Sequence, residues 1–259
     1  MVSTGQIVGM VLACLLPISV AAVLYWFVNK HSRKIETGMA GAAGYGILGF
    51  IWQQLIYLMA VVLLTNQAWL YRAIGKNFVL SALVYGVVCS IFVALGMYWG
   101  IYLTNQKQKS MFRSMTIGIG FGLGNAAWNI LAPYGMSLYD AIRINAGTFS
   151  GTEKTKASIL ATSSTTMYLD AFKCILLILI YWGVAYGMAE LYMQGKKIHA
   201  AAVPVAVQLV ISLTNAFMRQ YLPELAARIG IYIVLALLAA AAARAVITFL
   251  LKCPKSGRD

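Results

Sequence analysis

Apolar residues in this chain fall in long blocks and do not alternate with polar ones. The blocks cover about residues 6–28, 38–64, 77–103, 114–133, 167–192, 200–218 and 225–251. Most match or exceed the roughly 20 residues that a helix needs to cross the hydrocarbon core of a bilayer. Between them lie polar connections: NKHSRKIE (29–36), a segment ending at 72–77, TNQKQKS (104–110), the long stretch 134–157, QGKKIH (194–199) and RQYLPE (219–224). Pro133, Pro204 and Pro223 stand at or near block ends, where proline starts or stops helices. The pattern predicts an all-α membrane protein, a bundle of seven transmembrane helices in a single polytopic domain over 1–259. The first block is too long for a signal-peptide core, has no basic region before it and no small-x-small site after it, and so predicts a retained helix. The stretch SILATSSTT (158–166) is too polar for lipid contact, and predicts either an outward extension of the fifth span or an ordinary solvated helix end.

Composition strengthens this reading. Hydrophobic residues make up 61% and charged residues 10%, with a mean hydropathy of +0.78. Soluble domains carry roughly 25% charged residues, so a water-facing surface could not be covered. The net charge of +13, from 20 basic against 7 acidic residues, would point to nucleic acid in a soluble protein. Here the basic residues sit mostly in short loops, where they anchor and orient a membrane protein. No nucleic-acid partner is therefore expected; membrane lipids are. Loops one, three and five and the C-terminal tail carry the larger share of Lys and Arg: Lys30, Arg33, Lys34, Lys107, Lys109, Arg113, Lys196, Lys197, Lys252, Lys255 and Arg258, against Arg72, Lys76, Arg143, Lys154, Lys156, Arg219 and Arg228 on the other side. That side is predicted cytoplasmic, which places the N-terminus outside and the C-terminus inside, in the plasma membrane of a prokaryote. Cys14, Cys89, Cys174 and Cys253 share no metal-type spacing. No cofactor or metal is expected.

Polar side chains inside the apolar blocks are the candidates for chemistry, because in hydrocarbon each needs a partner. Gln53 lies in the second block; Asn125 and Asn129, one helical turn apart, share a face of the fourth. The fifth holds Asp170 and Lys173, predicted as an ion pair at the outer interface, with Glu190 near its inner end. The sixth holds Gln208, Ser212 and Asn215, and the seventh Arg244. Asn125, Asn129, Gln208, Ser212, Asn215, Arg244 and Gln53 are the candidates for lining a cavity; interhelical hydrogen bonds that only hold the bundle together would use the same amides. The fourth block opens GIGFGLGNAAWN (118–129), with Gly118, Gly122 and Ala126 on one stripe and Gly120 and Gly124 on the next. Two smooth stripes predict a central helix approached closely by others. Gly38, Ala42 and Gly46 begin the second block in the same way. The two histidines, His31 and His199, lie in or beside loops, and no catalytic dyad, metal-binding helix motif or phosphate loop appears.

The seven-block layout, the third block ALVYGVVCSIFVALGMY (82–98) and the glycine-rich GIGFGLGN (118–125) resemble the YhfC-like putative membrane peptidases, relatives of the CAAX prenyl proteases and of the anterior-pharynx-defective subunit of gamma-secretase. The resemblance implies catalytic positions on the third helix, paired glutamates and an arginine, and on the fourth, a histidine and a glutamate. The matching positions here read Val93, Ala94 and Met97, then Phe121 and Asn125. An amide has no basic lone pair with which to activate water. The resemblance therefore implies a member without the catalytic residues: a scaffold or binding protein whose degenerate active-site cavity holds a partner helix, a peptide or a lipid. Two alternatives stand beside it. One is an intramembrane protease that uses Glu190 or Asp170. The other is a small transporter or accessory subunit with Asn125, Gln208, Asn215 and Arg244 along a solute path.

Overall fold

Every regular element among the described residues is helical, which follows from chains of apolar residues that must satisfy each backbone group internally. The computed structural model describes residues 1–32, 38–66, 72, 77–105 and 110–252. Arg33, Lys34, Lys76, Lys107, Lys109, Cys253, Lys255 and Arg258 lie outside the described residues. In chain order the helices are α1 (Thr4–His31), α2 (Met39–Asn66), α3 (Phe78–Asn105), α4 (Met111–Ala126), a π-helical segment (Ala127–Leu131), α5 (Ala132–Asn145), α6 (Glu153–Ala161), α7 (Ser164–Met193), α8 (Lys197–Tyr221) and α9 (Glu224–Lys252). Side chains that accept from early backbone N–H groups start five of them: Ser3, Asn77, Ser110, Thr152 and Ser163. Among the described residues six helices, α1, α2, α3, α7, α8 and α9, are long and apolar enough to cross a membrane. The chain is an all-helical membrane protein.

The fourth block departs from expectation. Its helix does not stop at Pro133, and the following stretch is not an open connection. α4 alone has 16 residues, but it runs through the π segment directly into α5, and α6 follows before α7. The cause is local. A proline in a regular helix lacks its N–H and drives its ring into the carbonyl four residues back, here that of Asn129. One widened turn just before Pro133 gives that carbonyl room and the helix continues, whereas Pro17 in α1 and Pro204 in α8 are carried without such a turn. The stretch 158–166 is likewise divided. α6 ends at Ala161, and Ser163 caps a new helix.

The glycine stripes do what their spacing predicts. A β-carbon on Gly118 would strike the backbone of Tyr181 and the side chain of Ala185, and one on Gly122 would come within 2.7 Å of Ile178 Cα. Those contacts seat α7. On the neighbouring stripe, Gly120 abuts the Ala43 carbonyl and Gly124 lies against Phe50 and Ile47, which seats α2; Gly46 meets the Ile117 carbonyl from the other side. α4 is thus clamped between α2 and α7 and also touches α1 and α3. Gly38 plays a different part from the one its spacing implied: it adopts φ +110° ahead of α2 and packs on nothing within 4 Å. α7 is the most enclosed span and α8 the least, with 61% and 6% of their central windows buried. α8 therefore forms a wall: it packs on α3, α7 and α9 and leaves a gap between itself and α4.

Candidate functional site

The gap between α4 and α8 is a cavity of about 360 Å³. α4 and the π segment contribute Asn125, Asn129 and Ile130. Asp170, Lys173, Cys174, Leu177 and Tyr181 come from α7, Gln208, Ile211, Ser212 and Asn215 from α8, and Ile231 and Leu235 from α9. Five of the seven candidates read from the sequence meet here: Asn125, Asn129, Gln208, Ser212 and Asn215. Their meeting follows from spacing. Asn125 and Asn129 are one turn apart, and Gln208, Ser212 and Asn215 stand at i, i+4 and i+7, so each set lies on one helical face.

The polar groups divide into partnered and unpartnered ones. Asn129 Nδ2 donates to the Asn125 carbonyl at 3.0 Å, where the widened turn loosens the backbone ladder. Tyr181 Oη donates to Gln208 Oε1 at 3.3 Å, and Gln208 Nε2 in turn reaches Ser212 Oγ at 3.5 Å and Cys89 Sγ at 3.6 Å. Asn125 Oδ1 and Asn215 Oδ1 are buried and accept from nothing. Buried acceptors of this kind cost free energy unless a ligand or water donates to them.

Asp170 and Lys173 were expected as an ion pair at the outer interface. They line the cavity instead, and no ion pair joins them among the described residues, where the pairs are Lys156–Glu153 and Arg228–Glu224. Tyr134, arriving on α5, donates to Asp170 Oδ2 at 2.7 Å and takes the carboxylate that the lysine was expected to hold. Beyond Asp170, Lys173 and Asn215 the cavity continues into a smaller chamber bounded by Arg219, Arg228, Ile231 and Tyr232. Neither Arg219 nor Arg228 had been counted as a site residue. Each read as a loop or helix-end charge, and only the Leu222–Pro223 turn that brings α8 against α9 sets them side by side.

Two candidates fall elsewhere. Gln53 is buried at 3% exposure between α2 and α3, against Gly96, where its side chain donates only to Gln54. Arg244 is exposed on the outside of α9. The buried face of that helix runs through Ile231, Leu235, Ala239, Val246 and Leu250, and Arg244 stands about 140° around the axis from Ala239 at roughly 100° per residue. Glu190 is exposed near the end of α7, away from the cavity lining, so of the two acids considered for proteolysis only Asp170 reaches the cavity.

Of the five positions matched to the peptidases, Asn125 alone lines the cavity and the other four are packed core. Val93, Ala94, Met97 and Phe121 are all at or below 5% exposure. Phe121 makes edge contacts with Phe50 at 5.3 Å and Tyr181 at 5.0 Å between ring centroids. Through the latter contact it backs Tyr181, which lines the cavity. Comparison of the chain with protein-family models, with curated proteins and with solved structures gives no match.

Proposed function

We propose that this chain is a non-catalytic membrane protein of seven spans, with its N-terminus outside and its C-terminus cytoplasmic, whose degenerate active-site cavity holds a partner helix, a peptide or a lipid. On this reading it is a member of the YhfC-like peptidase family that has lost the catalytic residues, resident in the plasma membrane of a prokaryote. On the same reading the seventh span is α4 with the π segment, and the close approach of α2 and α7 to its glycines supports giving it a central position.

The observation that carries the proposal is the chemistry of the cavity wall. Four amides, a serine and a tyrosine surround the space, with Lys173, Cys174 and one carboxylate, Asp170, already engaged by Tyr134. Hydrolysis needs a group that can take a proton from water. Amides cannot do so, but they donate and accept hydrogen bonds, as holding a polar partner group requires. At about 360 Å³ the cavity admits a side chain or a headgroup, at the small end of the roughly 300–1,000 Å³ typical of ligand pockets. A partner helix would rest on the bundle and send one polar group inward.

The test is recovery of the partner from detergent-extracted protein. Asn125→Leu and Asn129→Leu should lower it markedly while thermal unfolding stays within a few degrees of the wild type; unchanged recovery counts against the cavity. The place of Asp170 in the wall favours one second reading, proteolysis with this residue as the acid. Cleavage of a peptide library by the purified protein, abolished in Asp170→Asn, would establish that reading in place of ours.

A further inference from the structure

The two chambers differ in what they ask of a ligand, and together they define its chemistry. Asn125 Oδ1 in the larger chamber and Asn215 Oδ1 at the junction of the two are buried acceptors without donors, and Asp170, also at the junction, has lone pairs beyond the one Tyr134 engages. Such a wall is completed by hydroxyl groups. Toward the mouth the sign changes. Lys173 lines both chambers and Arg219 stands in the outer one, and neither makes a hydrogen bond or ion pair among the described residues. Arg228 is engaged by Glu224 at 2.6 Å. With Asp170 counted against them, Lys173 and Arg219 leave one positive charge in excess. Guanidinium and ammonium groups at the lip of an amide-lined cavity match a phosphate whose attached polyol reaches inward.

Resting on the reading of this cavity as a binding site, we propose that its ligand is a phosphate ester of a small polyol, of the glycerol phosphate type, either free or as the headgroup of a phospholipid. The phosphate sits between Lys173 and Arg219, and the two hydroxyls donate to the orphan acceptors Asn215 Oδ1 and Asn125 Oδ1, with Asp170 alongside. A lipid would leave its acyl chains along the sparsely buried α8, and a free ester would enter from the end that carries the α8–α9 turn.

The full-length protein in nanodiscs of phosphatidylcholine, which offers phosphate but no hydroxyl donors, is titrated with glycerol 3-phosphate in one arm. In the other it is prepared with phosphatidylglycerol in the disc, and bound species are read by native mass spectrometry. The proposal expects an adduct in one arm, and which arm identifies the source. Arg219→Gln, an exposed substitution that leaves the bundle packing untouched, should weaken binding roughly tenfold by removing a charge-assisted hydrogen bond. Asn125→Leu should abolish it. Absence of an adduct in both arms overturns the proposal, as does binding that Arg219→Gln and Lys173→Met leave unchanged. A chemically different molecule that co-purifies and is lost in Asn125→Leu overturns the ligand assignment but leaves the cavity standing as a site. No dependence of any bound species on Asn125 removes both.

Discussion

Asn125 occupies the position at which the resemblance implies a glutamate, and its side-chain oxygen Oδ1 is buried in the cavity wall without a donor. Polar side chains in apolar blocks are conspicuous in the sequence, and Asn125, Asn129, Gln208, Ser212 and Asn215 line one space between α4 and α8. Inference from residue type failed where the facing helix decides the outcome. Asp170 and Lys173 at i, i+3 read as a pair because nothing in their own segment announces Tyr134, 36 residues away, which takes the carboxylate. Arg244 read as a cavity residue because hydropathy does not say which side of α9 faces inward. Two predictions belong at this scale. Tyr134→Phe should lower stability by about 1–3 kcal/mol by leaving the half-buried carboxylate short of a donor, measurable by unfolding in detergent; no change would mean that water serves Asp170 as well. Phe121→Ala should cost roughly 2–4 kcal/mol, below the usual soluble-core value because in lipid the ring is not transferred from water and the main loss is packing contacts. The same assay reads it.

Among the elements, α4 shows how far spacing reaches. Its two glycine stripes were legible as close-packing surfaces, and Gly118, Gly120, Gly122 and Gly124 each meet a neighbouring helix where a β-carbon would intrude. Replacing Gly120 with valine puts branched carbon against the Ala43 carbonyl, and should destabilise by more than the 1–3 kcal/mol usual for overpacking, seen as loss of the monodisperse species on size exclusion. The continuation through Pro133 was not legible, because a proline after an apolar block ordinarily marks a helix end. What the pattern lacks is the widened turn that accommodates it. Pro133→Ala restores the missing N–H and should let the segment relax toward a regular α-helix. Stability should hold or rise, while rotation of Asn129 out of the cavity lowers ligand recovery. Falling stability with unaltered recovery would show that the π segment has another cause.

At the scale of the whole molecule, the exposed surface is made of large apolar side chains, Trp52, Met59, Leu63, Leu237 and Leu251 among them, as a lipid-facing bundle requires. Six spans follow from length and composition; the seventh and the sidedness rest on α4 and on the distribution of basic residues. In a variant with Cys253→Ser, a cysteine at Ser150 should react with a membrane-impermeant maleimide on intact cells, and one at Gly195 should react only after permeabilisation; the reverse pattern would invert the topology. The central claim is that the space between α4 and α8 binds and does not hydrolyse. Native mass spectrometry of the detergent-extracted protein tests it most directly. The account predicts a non-covalently bound molecule or chain that disappears in Asn125→Leu. A retained metal ion that disappears with Asp170→Asn, accompanied by peptide cleavage, would contradict it.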